Sequence, residues 1–172
     1  MKPPFDIAGD LDTPVSAFMK LAAFSPRFLL ESVEGGERLA RYSFIGFGDG
    51  LEVRLDRDGF SVGRELRPMP ASKEALLSGL RAALRCAPQP QPDIAGVPLA
   101  GGLVGYSSYD VVRYFERLPA RSRLESGVPA LHYVAPRSLL VFDHLTRGIA
   151  LVHAGSEEER RSLRNEVVRA LR

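Results

Sequence analysis

The sequence predicts an α+β domain in which a mainly antiparallel sheet is flanked by a few helices. Several short apolar runs carry strand-like patterns and are separated by turn residues, whereas only a few segments carry a helical pattern. No regular alternation of strand and helix is visible, which argues against a doubly wound nucleotide-binding fold. A chain of 172 residues is long enough to bury one substantial core.

The first half of the chain predicts one helix and then a run of strands. Thr13-Pro14 marks a helix start, because a hydroxyl caps the first turn and proline loses no needed donor at the first helical position. The strand patterns are FLLESV, RYSFIGF and GLEVRLD, and Asp58-Gly59 predicts a hairpin turn after the last of them. The residues expected on the apolar face of the helix are Val15, Phe18, Met19 and Ala22.

The second half predicts two more helices and a hairpin. Ser72 is a predicted cap for a helix, residues 87–98 form a proline-rich loop, and a glycine-studded strand follows. The segments SLLVFDH and GIALVHA are predicted to pair as a hairpin. Ser156 and Glu159 form a capping box for the last helix. The sequence thus divides into a domain over 1–155 and a helix over 156–172.

Composition excludes several classes of function. The net charge is only +2 and the arginines are scattered, so no nucleic-acid partner is indicated. No apolar run approaches the ~20 residues that cross a bilayer, so no membrane partner is expected. The single cysteine, Cys86, excludes an internal disulfide framework and fits a reducing, cytoplasmic compartment.

No catalytic or metal-ligating set emerges from residue spacing. His132, His144 and His153 are far apart in sequence and lack metal-ligand spacing. The glycines around Gly101 do not complete a dinucleotide or phosphate-binding loop. We therefore predict no catalytic residue and no metal site within this chain.

The stretch from Leu30 to Arg41 is unusual, because Glu31 and Ser32 follow an apolar strand with no turn between. A carboxylate on such a strand needs a partner if it is buried. One interpretation is a structural ion pair of Glu31 with Arg41 or Arg38. The other is a small polar pocket in which Glu31 binds an ammonium group, Ser32 forms a hydrogen bond with the ligand and Arg41 binds a carboxylate, a set that suits an amino acid.

Two segments of the sequence resemble a known family. FLLESVEGGERLARYSFIG looks like the N-terminal region of anthranilate synthase component I, and GGLVGYSSYDVVRYFERLP resembles a second signature of that region. Their order and spacing also agree, and the resemblance extends from about Thr13 to His153. Para-aminobenzoate synthase component I is a close relative, but the Leu-Leu-Glu-Ser and Arg-Tyr-Ser forms favour the anthranilate enzyme.

The resemblance implies a fold and a function. It implies that the chain forms one part of the layered sandwich of the large subunit. It also implies that the large subunit is a lyase that converts chorismate and ammonia to anthranilate and pyruvate in tryptophan biosynthesis. It also implies Mg²⁺ and chorismate sites in a C-terminal chorismate-binding domain outside these 172 residues, and a partner glutamine amidotransferase, component II. The chain by itself is expected to be inactive.

The resemblance further implies a site for feedback inhibition by tryptophan, to which Leu30, Glu31, Ser32 and Arg41 contribute. Three alternatives stay open at this point. The chain could belong to para-aminobenzoate synthase component I in folate biosynthesis, or be a free-standing regulatory domain that binds an amino acid. It could also be a structural half-domain in which Glu31 only neutralises Arg41.

Overall fold

A computed structural model describes residues 4–31, 41–117 and 127–172. The predicted fold class is confirmed: antiparallel strands dominate, and helices flank them. The strands are β1 (Ile7–Ala8), β2 (Pro26–Leu30), β3 (Tyr42–Asp56), β4 (Gly59–Val62), β5 (Glu65–Arg67), β6 (Val104–Ser107), β7 (Leu131–Asp143) and β8 (Gly148–His153). The α-helices are α1 (Pro14–Lys20), α2 (Lys73–Cys86) and α3 (Glu157–Ala170), and two 3₁₀ turns span Ala22–Phe24 and Tyr109–Tyr114.

The described strands form one sheet in the order β1-β8-β7-β3-β4-β5, with β2 also paired to β3 and β6 also paired to β7. Both predicted hairpins are present. Asp56 pairs with Gly59 at the β3–β4 turn, and Asp143 pairs with Gly148 at the β7–β8 turn.

All three α-helices begin at the residues that the sequence predicts. The Thr13 hydroxyl accepts a hydrogen bond from the Ser16 N–H at 3.1 Å, and Ser72 caps α2 in the same way. At α3 the capping box closes in both directions, because Glu159 N–H donates to the Ser156 hydroxyl and Ser156 N–H donates to the Glu159 carboxylate.

By internal contacts the chain divides into two units. The first comprises the residues up to Asp49, residues 88–101 and residues from 136 onward; the second comprises residues 50–87 and 102–135. The largest core of the first unit is formed by strand residues together with α1 and α3. Its buried members are Ile7, Ala17, Leu21, Ile45, Phe47, Leu140, Phe142, Ile149, Leu151, Val167 and Leu171.

The buried face of α1 differs from the predicted one. Pro14 and Ala17 are buried within the helix, whereas Val15 is 49% exposed and Met19 is 72% exposed. The helix is short, so its orientation is set by how the small Ala17 and the following Leu21 fit against the core rather than by its most apolar stripe. The prediction that Val15 and Met19 face the core was therefore wrong.

The second unit has its own core, in which α2 packs on strand residues. Gly79 of α2 lies directly over Phe60 of β4, since a Cβ at Gly79 would approach the ring to 2.8 Å. The absent side chain thus allows close contact between helix and strand. The buried members of this core are Val53, Leu55, Phe60, Leu76, Ala83, Val111, Ala130 and Leu131.

A pair of backbone hydrogen bonds fixes the proline-rich segment in the first unit. Gln91 and His153 exchange both N–H···O bonds, at 3.0 and 2.9 Å. The imidazole Nδ1 of His153 also bonds to the buried hydroxyl of Ser138 at 2.8 Å. Burial lowers the pKa of His153 below its ordinary value and the charge of Arg137 acts in the same direction, while Glu159 opposes them.

The glycine at position 46 generates a first prediction. Phe28 of β2 pairs directly with Gly46 of β3, and a Cβ at Gly46 would overlap atoms of the Phe28 ring. Replacing Gly46→Ala should lower the free energy of unfolding of the chain by about 1–3 kcal/mol, the usual cost of overpacking. Denaturant unfolding measures this change.

A second substitution serves as the control for that effect. Adding Phe28→Leu to Gly46→Ala should recover part of the lost stability, because the smaller side chain leaves room for the new methyl group. If the loss of stability in the double variant equals the sum of the losses in the two single variants, contact with the Phe28 ring is not the reason that position 46 needs glycine.

The histidine at position 153 generates a prediction about pH. Because its folded pKa lies below its unfolded pKa of about 6.5, the unfolded chain binds more protons in the interval between them. The contribution of His153 to stability is therefore present above that interval and is lost as pH falls through it. Denaturant midpoints should decrease from pH 7 towards pH 5, and less steeply in His153→Gln; parallel curves for the two proteins would contradict this.

Candidate functional site

The stretch that the sequence singled out lies at one end of the β2–β3 ladder. The last pair of this ladder is Leu30 with Phe44. Glu31 directly follows β2, and Arg41 directly precedes β3. The structure therefore brings Leu30, Glu31 and Arg41 to the same end of the two strands, while Ser32 lies outside the described residues, as does Arg38.

Glu31 is exposed rather than buried, and Leu30 beside it is 40% exposed. Leu29, by contrast, packs against the main core of the first unit. The expectation that a core strand carries Glu31 was therefore wrong, because β2 ends at Leu30 and its core-packed part ends at Leu29. Water can solvate an exposed carboxylate, so burial gives no reason for an ion pair here.

Arg41 has a carboxylate partner, but that partner is Asp143 rather than Glu31. Arg41 donates from Nε to Oδ1 at 3.0 Å and from Nη2 to Oδ2 at 2.8 Å, which is the bidentate geometry that guanidinium and carboxylate favour. The Arg41 guanidinium also lies 4.9 Å from the centre of the Tyr42 ring. The ion pair interpreted between Glu31 and Arg41 is therefore replaced by one between Arg41 and Asp143, while Arg38 lies outside the described residues.

Asp143 is the most buried acid of this region, with a side chain 1% exposed. Its carboxylate also accepts hydrogen bonds from the Leu145 N–H, at 3.1 Å, and from the side chain of Thr146. The bonds from Arg41 hold the pKa of Asp143 below its usual range, against the effect of burial. This carboxylate is therefore fully hydrogen-bonded and ionised at neutral pH.

A second polar pair adjoins the first. The buried hydroxyl of Ser43 forms a hydrogen bond with the ring Nε2 of His144 at 2.8 Å. The backbone N–H of His144 donates to the backbone carbonyl of Arg41 at 2.9 Å. These contacts tie the start of β3 to the end of β7. Asp143 was not predicted from the sequence, where the available signal was an acid directly after the apolar run SLLVF.

The three histidines do not form a common site. His144 bonds to Ser43, His153 to Ser138, and His132 bonds through Nε2 to Glu52 at 2.7 Å. Within residues 4–31, 41–117 and 127–172, no group of three or more His, Cys, Asp or Glu side chains is placed to hold a metal ion. In the same ranges, no helix is both long and apolar enough to cross a membrane.

The chemistry at this end of the ladder is suited to a small zwitterion. Glu31 presents an exposed carboxylate that can accept from an ammonium group. A guanidinium carries five N–H donors, and the bonds to Asp143 use two of those on Arg41, whose side chain is 37% exposed. Three N–H donors of Arg41 are therefore not used by Asp143.

Comparison with known proteins identifies relatives of the chain. It is 42% identical over 151 residues to anthranilate synthase component 1 of Thermus thermophilus. The matched region covers 87% of this chain and 31% of that protein. The chain is 33% identical over 154 residues to the protein of the same name from Acetivibrio thermocellus, and 36% identical over 163 residues to that of Pseudomonas putida. The chain thus spans a little under a third of the length of these curated relatives.

Among solved structures, the chain resembles anthranilate synthase component I from Streptococcus pneumoniae. The TM-score is 0.61 with 20% sequence identity, over 99% of this chain and 37% of that one, which supports the fold alone. A scan against models of protein families gave no match. The identity to curated relatives over about 86% of this chain, together with the shared fold, shows that the chain is related to anthranilate synthase component I and matches its N-terminal region.

Proposed function

We propose that this chain is the N-terminal, feedback-regulatory part of an anthranilate synthase component I. The observation that supports this most strongly is the 42% identity to a curated component 1 over 87% of the chain. The relatives described above carry the anthranilate name, and none of these comparisons favours para-aminobenzoate synthase or a free-standing regulatory domain.

The complete enzyme would be a lyase of tryptophan biosynthesis that converts chorismate and ammonia to anthranilate and pyruvate. In this proposal a C-terminal domain outside the chain binds chorismate and Mg²⁺, and a glutamine amidotransferase, component II, supplies the ammonia in the cytoplasm. The described residues offer no acidic cluster that fits Mg²⁺, so we assign no metal-dependent step to them.

Within this enzyme, the chain would contribute Leu30, Glu31, Ser32 and Arg41 to a site for tryptophan as inhibitor. Glu31 would accept from the ammonium group of the ligand and Arg41 would donate to its carboxylate. Support comes from the exposure of Glu31 and of part of Arg41 at the same end of the β2–β3 ladder. Leu30, also partly exposed, would supply apolar contact to the ligand.

The proposal predicts that the isolated 172-residue chain is inactive. When chorismate, ammonia and Mg²⁺ are supplied, purified chain should form no anthranilate above the uncatalysed background, because the catalytic groups are assigned to another domain. Anthranilate fluorescence provides the measurement. Turnover that copurifies with the chain and disappears on its removal would contradict the assignment.

The proposal also predicts the effect of Glu31→Gln in complete component I. The variant keeps the shape of the side chain and loses its charge, so it removes a charge-assisted hydrogen bond worth roughly 1.5–3 kcal/mol. The inhibition constant for tryptophan should rise on the order of ten- to a hundredfold. Ser32→Ala should raise it less, because a neutral hydroxyl contributes less than a charge.

Glu65→Gln is a matched control, since Glu65 is an exposed acid of the second unit that pairs with Arg67. It should leave the inhibition constant unchanged. Turnover number and melting temperature are measured on the same variants. If Glu31→Gln lowers the melting temperature without altering inhibition, Glu31 is structural and the ligand-binding role is wrong.

A further inference from the structure

Asp143 is placed to control the orientation of Arg41. Both of its carboxylate oxygens accept bonds from Arg41, and its side chain is 1% exposed whereas that of Arg41 is 37% exposed. The acid is thus the fixed member of the pair, and the guanidinium extends from it towards solvent. The two residues are 102 positions apart in sequence, so the tertiary fold alone creates this contact.

The acid is itself fixed by its own strand end. The Oδ1 atom of Asp143 accepts a hydrogen bond from the backbone N–H of Leu145 at 3.1 Å, within the turn between β7 and β8. The side chain of Thr146 forms a further hydrogen bond with the Asp143 carboxylate. Beside it, His144 bonds to the Arg41 carbonyl through its N–H and to Ser43 through its ring. Backbone and side chain of Arg41 are therefore both held by the end of β7.

This geometry also restricts which donors of Arg41 are available to a ligand. Nε and one N–H of Nη2 point at Asp143, which leaves the two N–H groups of Nη1 and the second of Nη2. A fixed guanidinium plane presents these donors in one direction, which reduces the rotamer entropy that binding would otherwise remove. Lysine could not do this, since its ammonium has no fixed plane.

We propose that Asp143 is a positioning residue of the tryptophan site, which acts by orienting Arg41 towards the carboxylate of the inhibitor. The inference rests on the proposed function, because it assumes that the ligand contacts Arg41. It adds a residue from β7 to a site otherwise formed by residues at the end of β2 and the start of β3. Asp143 itself does not touch the ligand.

The test measures binding of tryptophan to complete component I by equilibrium dialysis. Asp143→Asn should raise the dissociation constant about tenfold, the equivalent of one lost or misdirected hydrogen bond to a charged group. Asp143→Glu keeps the charge but displaces the carboxylate by one methylene, and should give a smaller increase. If Asp143→Asn does not fold, Asp143→Glu alone carries the test, and an unchanged constant in that variant overturns the proposal.

A double-variant cycle separates positioning from general destabilisation. If Asp143 acts through Arg41, the effect of Asp143→Asn on tryptophan binding should vanish in an Arg41→Gln background. An effect that persists there overturns the proposal. Tighter binding in Asp143→Asn would also overturn it, since it would show that Asp143 mainly weakens the positive charge of Arg41.

Asp6→Asn is the matched control, because Asp6 also forms a partly buried ion pair in the first unit, with Arg164 at 2.8 Å. It should lower the melting temperature without altering tryptophan binding. Comparison with Glu31→Gln separates failure of the positioning role from failure of the tryptophan site. If Glu31→Gln weakens binding and Asp143→Asn does not, only the positioning role fails; if neither weakens it, the tryptophan site itself fails.

Discussion

The backbone ladders of the two long strands, β3 and β7, are the constraint on which the rest of the structure depends. β3 pairs with β2 over its first residues and with β4 over its last, and β7 pairs first with β6 and then with β8. Of the other described strands, all except β1 and β5 are hydrogen-bonded to one of these two. Buried backbone groups must be paired, so the register of β3 and β7 determines where the shorter strands can lie.

The changes of partner occur at residues that interrupt a ladder. In β3, the sequence Gly48-Asp49-Gly50 separates the segment paired with β2 from the one paired with β4, and Gly48 has a positive φ of 79°. In β7, Pro136 lies between the residues paired with β6 and those paired with β8, where the missing N–H breaks no pairing with either. These residues allow each long strand to pair with one short strand over its first part and with another over its last part.

Three buried polar residues of the first unit, Ser43, Ser138 and Asp143, lie on these two strands, and each is hydrogen-bonded. Ser43 and Ser138 bond to histidines, and Asp143 bonds to Arg41. A buried hydroxyl or carboxylate without a partner would cost free energy, so these pairs restrict how the strand ends can be arranged. The candidate site benefits from this restriction, because Arg41 begins the strand that the pairs hold.

The sequence by itself determined the local features and the family. Helix starts at Thr13, Ser72 and Ser156 were predictable because a cap and its partner lie within three residues, and the two hairpins follow from turns of equally short range. The motifs around Leu30 and Gly102 likewise predicted the relationship to anthranilate synthase component I, which the relatives bear out.

Only the tertiary structure decided which side chains meet and which are buried. It gave Arg41 the partner Asp143, exposed Glu31 directly after the end of β2, and buried Ala17 of α1 in place of Met19. The physical reason is that burial and long-range ion pairs depend on residues distant in sequence, whose approach is set by strand register and by the fit of whole faces. A local pattern contains no information about that register, whereas a cap or a turn contains all of its own partners.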